Sequence, residues 1–370
     1  MLEDEYQLLA GKRLGLLTNE SGQTSELVPT IDAVLAHPQL QLTALFGPEH
    51  GVRGHADSLL PSGQDPITGL PFHSLYDSRT RRPSPEMLEE VDALLFDVQD
   101  VGVRFYTYIS TLAHVMEAAA HCDVEVVVLD RPNPITGTEV EGNVLDPRFS
   151  SFVGLYPIAL RHGMTIGEMA LLFNDHFRIG CRLKVVAMEG WRRSWWFEET
   201  GAFWVIPSPN MPTPDTAVVY PGLCLLEETN VSEGRGTTKP FQLFGAPWIN
   251  AAALWKKLRS FNLPGVAFRQ AAFIPMYRKY QNELCYGLEL YVTDRQAFRP
   301  VATGLYIIAA LLELFPEQME IKDNFHRLMG TDTTAKRLLS GEPVEAVLAD
   351  FEPELKQFVE IRNKYLLYPD

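Results

Sequence analysis

Cysteine is sparse: Cys122, Cys181, Cys224 and Cys285 stand dozens of residues apart in a chain of 370, with no CxxC pair. That spacing excludes a zinc-knuckle or dithiol redox motif and predicts four buried, reduced thiols. Basic residues are also in deficit, since 32 Lys+Arg face 47 Asp+Glu for a formal charge of -15. Such a surface excludes broad attraction to nucleic acid or anionic lipid, so an anionic ligand must be met by a local arginine cluster. The longest apolar run, Leu305 to Leu314, contains Tyr306 and Glu313 and falls far short of the roughly 20 residues that span a bilayer. The acidic opening segment Met1 to Gln7 lacks the basic and apolar regions of a secretory signal, which predicts a cytoplasmic protein. GxGxxG after the first strand, GxxxxGK[ST], GxSxG and HExxH are all absent, which removes support for dinucleotide, NTPase, serine-hydrolase and zinc-protease chemistry. No cofactor and no resident metal is expected.

What is present is ordinary globular composition, 46% hydrophobic and 21% charged, in a chain longer than one core usually serves. Short apolar runs alternate with amphipathic stretches. Strands are predicted at Arg13 to Leu17, Leu40 to Phe46, Ala93 to Phe96 and Val124 to Leu129, with helices at Leu27 to Leu35, Pro85 to Val91 and Tyr108 to Ala120. This βαβ rhythm predicts a Rossmann-like, mostly parallel α/β domain over residues 1–238. From Pro132 to Pro240 the pattern loosens into Pro/Gly-rich turns around a helix at Ile166 to Phe177 and a strand at Leu183 to Ala187. Ordered loops of that length are more often functional than idle. Regular rhythm returns with helices at Trp248 to Phe261 and Val301 to Leu314 and strands at Val266 to Phe273 and Tyr286 to Val292. These predict a smaller α/β domain over 239–370.

Ligands of open parallel sheets bind beyond the carboxyl ends of the strands. Four consecutive strand ends are polar here: Thr18-Asn19-Glu20, then Gly47-Pro48-Glu49-His50-Gly51, then Asp97, Gln99, Asp100 and Arg104, then Asp130, Arg131 and Asn133. Any single Asp or Asn there is explained by capping the next helix; four together point to a site. Glu49 is least cap-like, because Pro48 and Gly51 fix a turn around it, and it ranks first for proton transfer. His50 either tunes Glu49 or packs a loop. The middle loops add Arg161-His162, Asn210 and Thr213 within SPNMPT, and Glu228, Asn230, Glu233 and Arg235 within EETNVSEGRG. Arg235 between two glycines suits bidentate capture of a carboxylate or phosphate. The tryptophans Trp191, Trp195, Trp196 and Trp204 can stack on sugar rings, although packing beneath a loop explains them more simply.

FGPEHG at Phe46 to Gly51, DVQDVGVRFYTY at Asp97 to Tyr108, DRPNP at Asp130 to Pro134, RHGMT at Arg161 to Thr165, PSPNMPT at Pro207 to Thr213 and ETNVSEGRGTTKP at Glu228 to Pro240 together resemble the NamZ family of exo-β-N-acetylmuramidases, in order through most of the chain. The resemblance implies removal of N-acetylmuramic acid from the non-reducing end of peptidoglycan-derived glycans, an oligosaccharide substrate, by a Rossmann-like domain joined to a smaller α/β domain with the active site in the cleft between them; the charge balance and apolar runs predict no nucleic-acid and no membrane partner. Such cleavage needs a carboxylic acid for the leaving oxygen, plus a second carboxylate or the sugar's own acetamido group. Glu49 is the expected acid/base, with His50 beside it and Asp97, Asp100 or Glu228 as the second group. Asn19, Arg104, Tyr106, Asp130, Arg131, Asn133, Arg161, His162, Asn210, Thr213, Asn230, Glu233 and Arg235 are expected to bind substrate, Arg235 leading for the lactyl carboxylate. The weighed alternatives are another hydrolase, for example metal-assisted, and a non-catalytic cell-wall glycan-binding protein.

Overall fold

The computed structural model describes residues 5–49, 51–52, 61–76 and 81–370. In chain order the elements are β1 (Arg13–Thr18), α1 (Thr30–Ala36), β2 (Gln41–Gly47), β3 (Gly63–Gln64), β4 (Pro71–Ser74), α2 (Pro85–Leu88), β5 (Ala93–Asp97), α3 (Tyr108–Cys122), β6 (Glu125–Leu129), β7 (Glu141–Val144), β8 (Ala159–Arg161), α4 (Ile166–Asp175), β9 (Leu183–Val186) and α5 (Pro214–Leu223). There follow β10 (Leu243–Ala246), α6 (Ala251–Ser260), β11 (Val266–Phe273), β12 (Cys285–Val292), α7 (Pro300–Leu314), α8 (Phe325–Met329) and three short C-terminal helices.

Seven strands form one sheet in the order β3-β4-β2-β1-β5-β6-β9, parallel throughout except for the β3/β4 edge pair. Its central strands are apolar on both faces, and the alternation of side chains sends each set to a different core. Leu14, Leu16, Ala93, Leu95 and Val127 pack with Ile31 and Val34 of α1 on one face. Leu17, Leu94, Phe96, Val126 and Val128 face α3 and α4 on the other, in a larger core that continues into the second unit. That unit is smaller, with an antiparallel sheet in the order β10-β12-β11 covered by α6, against which α7 packs.

The α/β class and the second, smaller unit expected from sequence are both present. The missed elements include short or weakly periodic ones: the edge pair β3/β4, the two-stranded pair β7/β8, the edge strand β10 and helices α5 and α8. Pro214, Pro221 and Gly222 disguise α5 as a loop. Pro214 instead sits at its first turn behind the capping Thr213, a position where proline's missing N–H costs nothing. Helix α1 begins at Thr30 rather than Leu27, because Leu27 has a left-handed φ of 60°.

α5 joins the two units by crossing α7 at a glycine pair. A Cβ on Gly222 would lie 1.9 Å from the Pro300 carbonyl oxygen, and one on Gly304 would lie 2.4 Å from the Gly222 oxygen. No side chain fits between those backbones. Gly222→Ala is therefore expected to destabilise the protein by about 1–3 kcal/mol through forced separation of the helices. An unchanged denaturation midpoint would refute that contact.

Among the described residues, no helix is long and apolar enough to cross a membrane.

Candidate active site

A cavity of about 260 Å³ opens where the carboxyl ends of the parallel strands meet the second unit. That volume lies just below the roughly 300–1,000 Å³ range of small-molecule sites. From the large sheet come Glu49 beyond β2, Tyr76 beyond β4, and the segment Phe105 to Tyr108 leading into α3. Ser208 to Met211 form one wall. The opposite wall comes from Tyr220 and Cys224 on and after α5, Glu227, Arg235, Phe241, Arg278 and Leu328.

Glu49 is half-buried on this wall, and its Oε2 accepts a hydrogen bond from Thr107 Oγ1 at 2.8 Å. The Tyr76 hydroxyl also bonds to it; burial, then the Glu49 charge, pushes that phenol up to about 12. Glu49 is thus fixed by two hydroxyls and by no cation among the described residues, an arrangement that suits a group exchanging a proton. His50, expected beside it, lies outside the described residues, as does His55.

Opposite stands a knot of charge. Arg235 Nη2 is 2.9 Å from Glu227 Oε2, and Arg235 Nε donates to Glu233 Oε1 at 2.6 Å. Lys279 Nζ donates to Glu233 Oε2 at 3.0 Å and to the carbonyls of Leu226 and Val231. Burial would push the Glu233 carboxyl up, but Lys279 and Arg235 overcome this and hold it below its usual range. Burial pushes Glu227 up, the Glu233 charge adds to that, and Arg235 only partly offsets it. The glycines beside Arg235 serve the backbone rather than an approaching anion. Gly234 and Gly236 have φ of 82° and 84°, and a Cβ on either would meet the Leu243 or Tyr277 carbonyl oxygen within 2.6 Å.

Of the other expected residues, Tyr106 and Asn210 line the cavity. The Tyr106 hydroxyl is buried with no hydrogen-bond partner among the described residues, and Asn210 Oδ1 accepts from Tyr277 at 2.7 Å. Asn19 stands behind the wall, donating to the Tyr108 hydroxyl and the Pro207 carbonyl.

The remaining candidates are engaged in building the fold. Arg104 is fully buried and donates to four carbonyls, those of Asn143, Ile158, Leu328 and Met329. Burial without a carboxylate partner lowers its pKa to about 9. Arg161 donates to the Ile135 carbonyl, and Arg131 is held by Asp97 and the Gln23 carbonyl beside a separate cavity of about 310 Å³. Asp97 further accepts from Thr30 and does not line the cavity. Asp100 is buried, accepting from the Gly102 N–H and lying 3.5 Å from His162 Nε2, whose Nδ1 accepts from the Met164 N–H. Asp130 accepts from Thr165, Gly167 and Tyr368 at the start of α4, and burial raises it to about 6. Asn133 braces the Met164 carbonyl, Thr213 caps α5, and Asn230 bonds the Gln318 carbonyl and the Glu320 N–H.

Glu228 turns away from the cavity, and Glu227 is the carboxylate that enters it. The two adjoin on the short 3-10 turn Cys224–Glu228, where a shift of one residue changes direction by about a third of a turn, and nothing in the sequence distinguishes them. Tyr76, Thr107, Ser208 and Arg278 were likewise not anticipated. Trp204 packs through its Nε1 on the Met211 carbonyl, and Trp191 is buried. Among the described residues, no group of three His, Cys, Asp or Glu side chains is disposed to hold a metal ion.

Glu20, at the end of β1, carries an Oε2 that is buried without a partner among the described residues, and burial pushes the carboxyl up to about 7. Between pH about 4.5 and about 7 the folded protein therefore holds a proton that the unfolded chain has released. Its contribution to stability is complete below that window and declines as pH rises through it. Glu20→Gln removes this decline, so the variant should gain on the wild type from pH 5 to 8 in urea unfolding. A constant difference across that range would contradict the assignment.

Family models described as "Exo-beta-N-acetylmuramidase NamZ, N-terminal" and "Exo-beta-N-acetylmuramidase NamZ, C-terminal" match residues 14–215 and 218–368. The chain is 49% identical, over its whole length and 90% of the relative, to the peptidoglycan beta-N-acetylmuramidase NamZ of Bacillus subtilis (strain 168). Two crystal structures of DUF1343 family proteins from Bacteroides fragilis NCTC 9343 share the fold. One has a TM-score of 0.93 at 37% identity, covering 99% of this chain and 96% of that one; the other has 0.82 at 31%, covering 100% and 98%.

Proposed function

Because this chain belongs to the exo-β-N-acetylmuramidase NamZ family and is a glycosidase, we propose that it releases N-acetylmuramic acid from peptidoglycan-derived glycans with Glu49 as its acid/base. The observation that carries this assignment is the setting of Glu49: a carboxyl on the wall of a small cavity, steadied by Thr107 and Tyr76 and unpaired with any described cation. A cavity of this size suits one terminal sugar residue rather than a long glycan, in keeping with exo action.

In the proposed reaction Glu49 gives its proton to the glycosidic oxygen as the bond from that oxygen to the anomeric carbon breaks. Glu227 and Glu233 are both engaged by Arg235, and Asp97 and Asp100 do not line the cavity. The sugar's own acetamido oxygen then closes on the anomeric carbon, and the ionised Glu49 takes a proton from the water that opens this intermediate. Tyr106, which lines the cavity beside Ser208 and Tyr108, is assigned to hold the acetamido. Arg235 meets the lactyl carboxylate that separates this sugar from N-acetylglucosamine.

Incubation with the disaccharide of N-acetylmuramic acid on N-acetylglucosamine should yield both free sugars. Glu49→Gln should cut turnover by about 10²–10⁴-fold, the usual weight of general acid–base catalysis, with substrate affinity retained. Near-normal turnover by that variant would remove Glu49 from the chemistry.

A further inference from the structure

Four charged side chains are tied together on the wall opposite Glu49, where Arg278 also lines the cavity. Two carboxylates, Glu227 and Glu233, face two cations, Arg235 and Lys279, and none of the four side chains is more than 24% exposed. Of these, Glu227 and Arg235 line the cavity. Arg235 commits Nε to Glu233 and Nη2 to Glu227, and its Nη1 has no hydrogen bond among the described residues. The Phe241 ring, centred 6.0 Å from the guanidinium carbon, backs it.

An N-acetylmuramic acid residue brings one more carboxylate. Docked on Arg235, it becomes a third carboxylate on a guanidinium already shared by Glu227 and Glu233, and stands close to Glu227. Like charges sharing such a site are relieved when one takes a proton. Glu233 is held by both Arg235 and Lys279, so it is not the one to yield. Glu227 has Arg235 on one oxygen and only the Cys224 thiol, at 3.5 Å, on the other. The groups that face it are Arg235, Glu233, Cys224, Lys279 and Tyr220, and Lys322 Nζ reaches its backbone carbonyl at 3.3 Å. Burial already favours its neutral form.

We propose that the lactyl carboxylate docks on Arg235 and that Glu227 takes up one proton from solvent as it does. This inference rests on the function proposed above. Glu227 is then a specificity-determining residue: neutral, it permits the acid sugar; ionised, it repels it. N-acetylglucosamine brings no charge and draws no proton. Preference for the acid sugar therefore falls as pH rises, by about tenfold for each unit once Glu227 is ionised in the free enzyme.

Calorimetric titration of the wild-type protein at pH 8 with N-acetylmuramic acid, in two buffers of different ionisation heat, should show uptake approaching one proton, and N-acetylglucosamine should show none. Glu227→Gln should bind N-acetylmuramic acid with no proton uptake and with an affinity independent of pH between 6 and 9. Wild-type binding without proton uptake, or a variant that still takes up a proton, overturns the proposal while leaving the proposed reaction standing. Failure of the wild type to bind or release N-acetylmuramic acid overturns both. Because the first measurement uses the unaltered protein, misfolding of the variant does not rescue the idea.

Discussion

The cavity exists because a buried guanidinium ties three segments together. Arg104 immediately precedes the lining segment Phe105 to Tyr108, and its donors reach the Asn143 carbonyl of β7, the Ile158 carbonyl just before β8, and the Leu328 and Met329 carbonyls at the end of α8. The first two acceptors lie beside the large sheet and the last two belong to the second unit. One side chain therefore sets how the aromatic wall stands against the wall carrying Glu227 and Arg235. Burying a cation without a carboxylate is costly, and four carbonyl acceptors are what make it tolerable. Gly330 fits the same arrangement, since a Cβ there would lie 2.9 Å from Arg104 Nη2.

Charge is partitioned in a similar way across the molecule. Most of the polar groups at the strand ends tie loops to helices: Asp97 to Arg131 and Thr30, Asp130 to the start of α4, Asn133 to Met164. Their partners include distant segments as well as neighbouring loops, since Asp130 also accepts from Tyr368 near the C-terminus. Among the described residues, the cavity is flanked by Glu49 with its hydroxyl partners on one side and the Arg235 cluster on the other. An acidic protein with a total charge of -15 can still present cations to an acidic sugar, because Arg235 and Lys279 are gathered at this one wall.

The rim rule for parallel sheets led from sequence to Glu49 because a proline and a glycine confined it to a turn that no helix needed. The same rule gave Asp97, Asp100, Asp130, Arg104 and Arg131 equal standing, since a capping carboxylate and a catalytic one look alike in a string of residues. Arg235 was legible as an unusual arginine, but its flanking glycines answer to backbone geometry rather than to an anion. Tyr76 and Thr107 carried no signal, being a common tyrosine and a common threonine until two loops place them on one carboxyl.

The sequence by itself determined the α/β class, the succession of parallel strands, the family and the first catalytic candidate. These depend on periodicity, turn chemistry and long motifs, all of which are local in the chain. Only the tertiary structure decided that Glu227 rather than Glu228 enters the cavity and that Arg104 is a brace rather than a receptor. It alone brought Arg235 between two carboxylates. Those outcomes depend on which backbone carbonyls and side chains distant in sequence come within hydrogen-bonding reach, and no pattern along one chain encodes that distance.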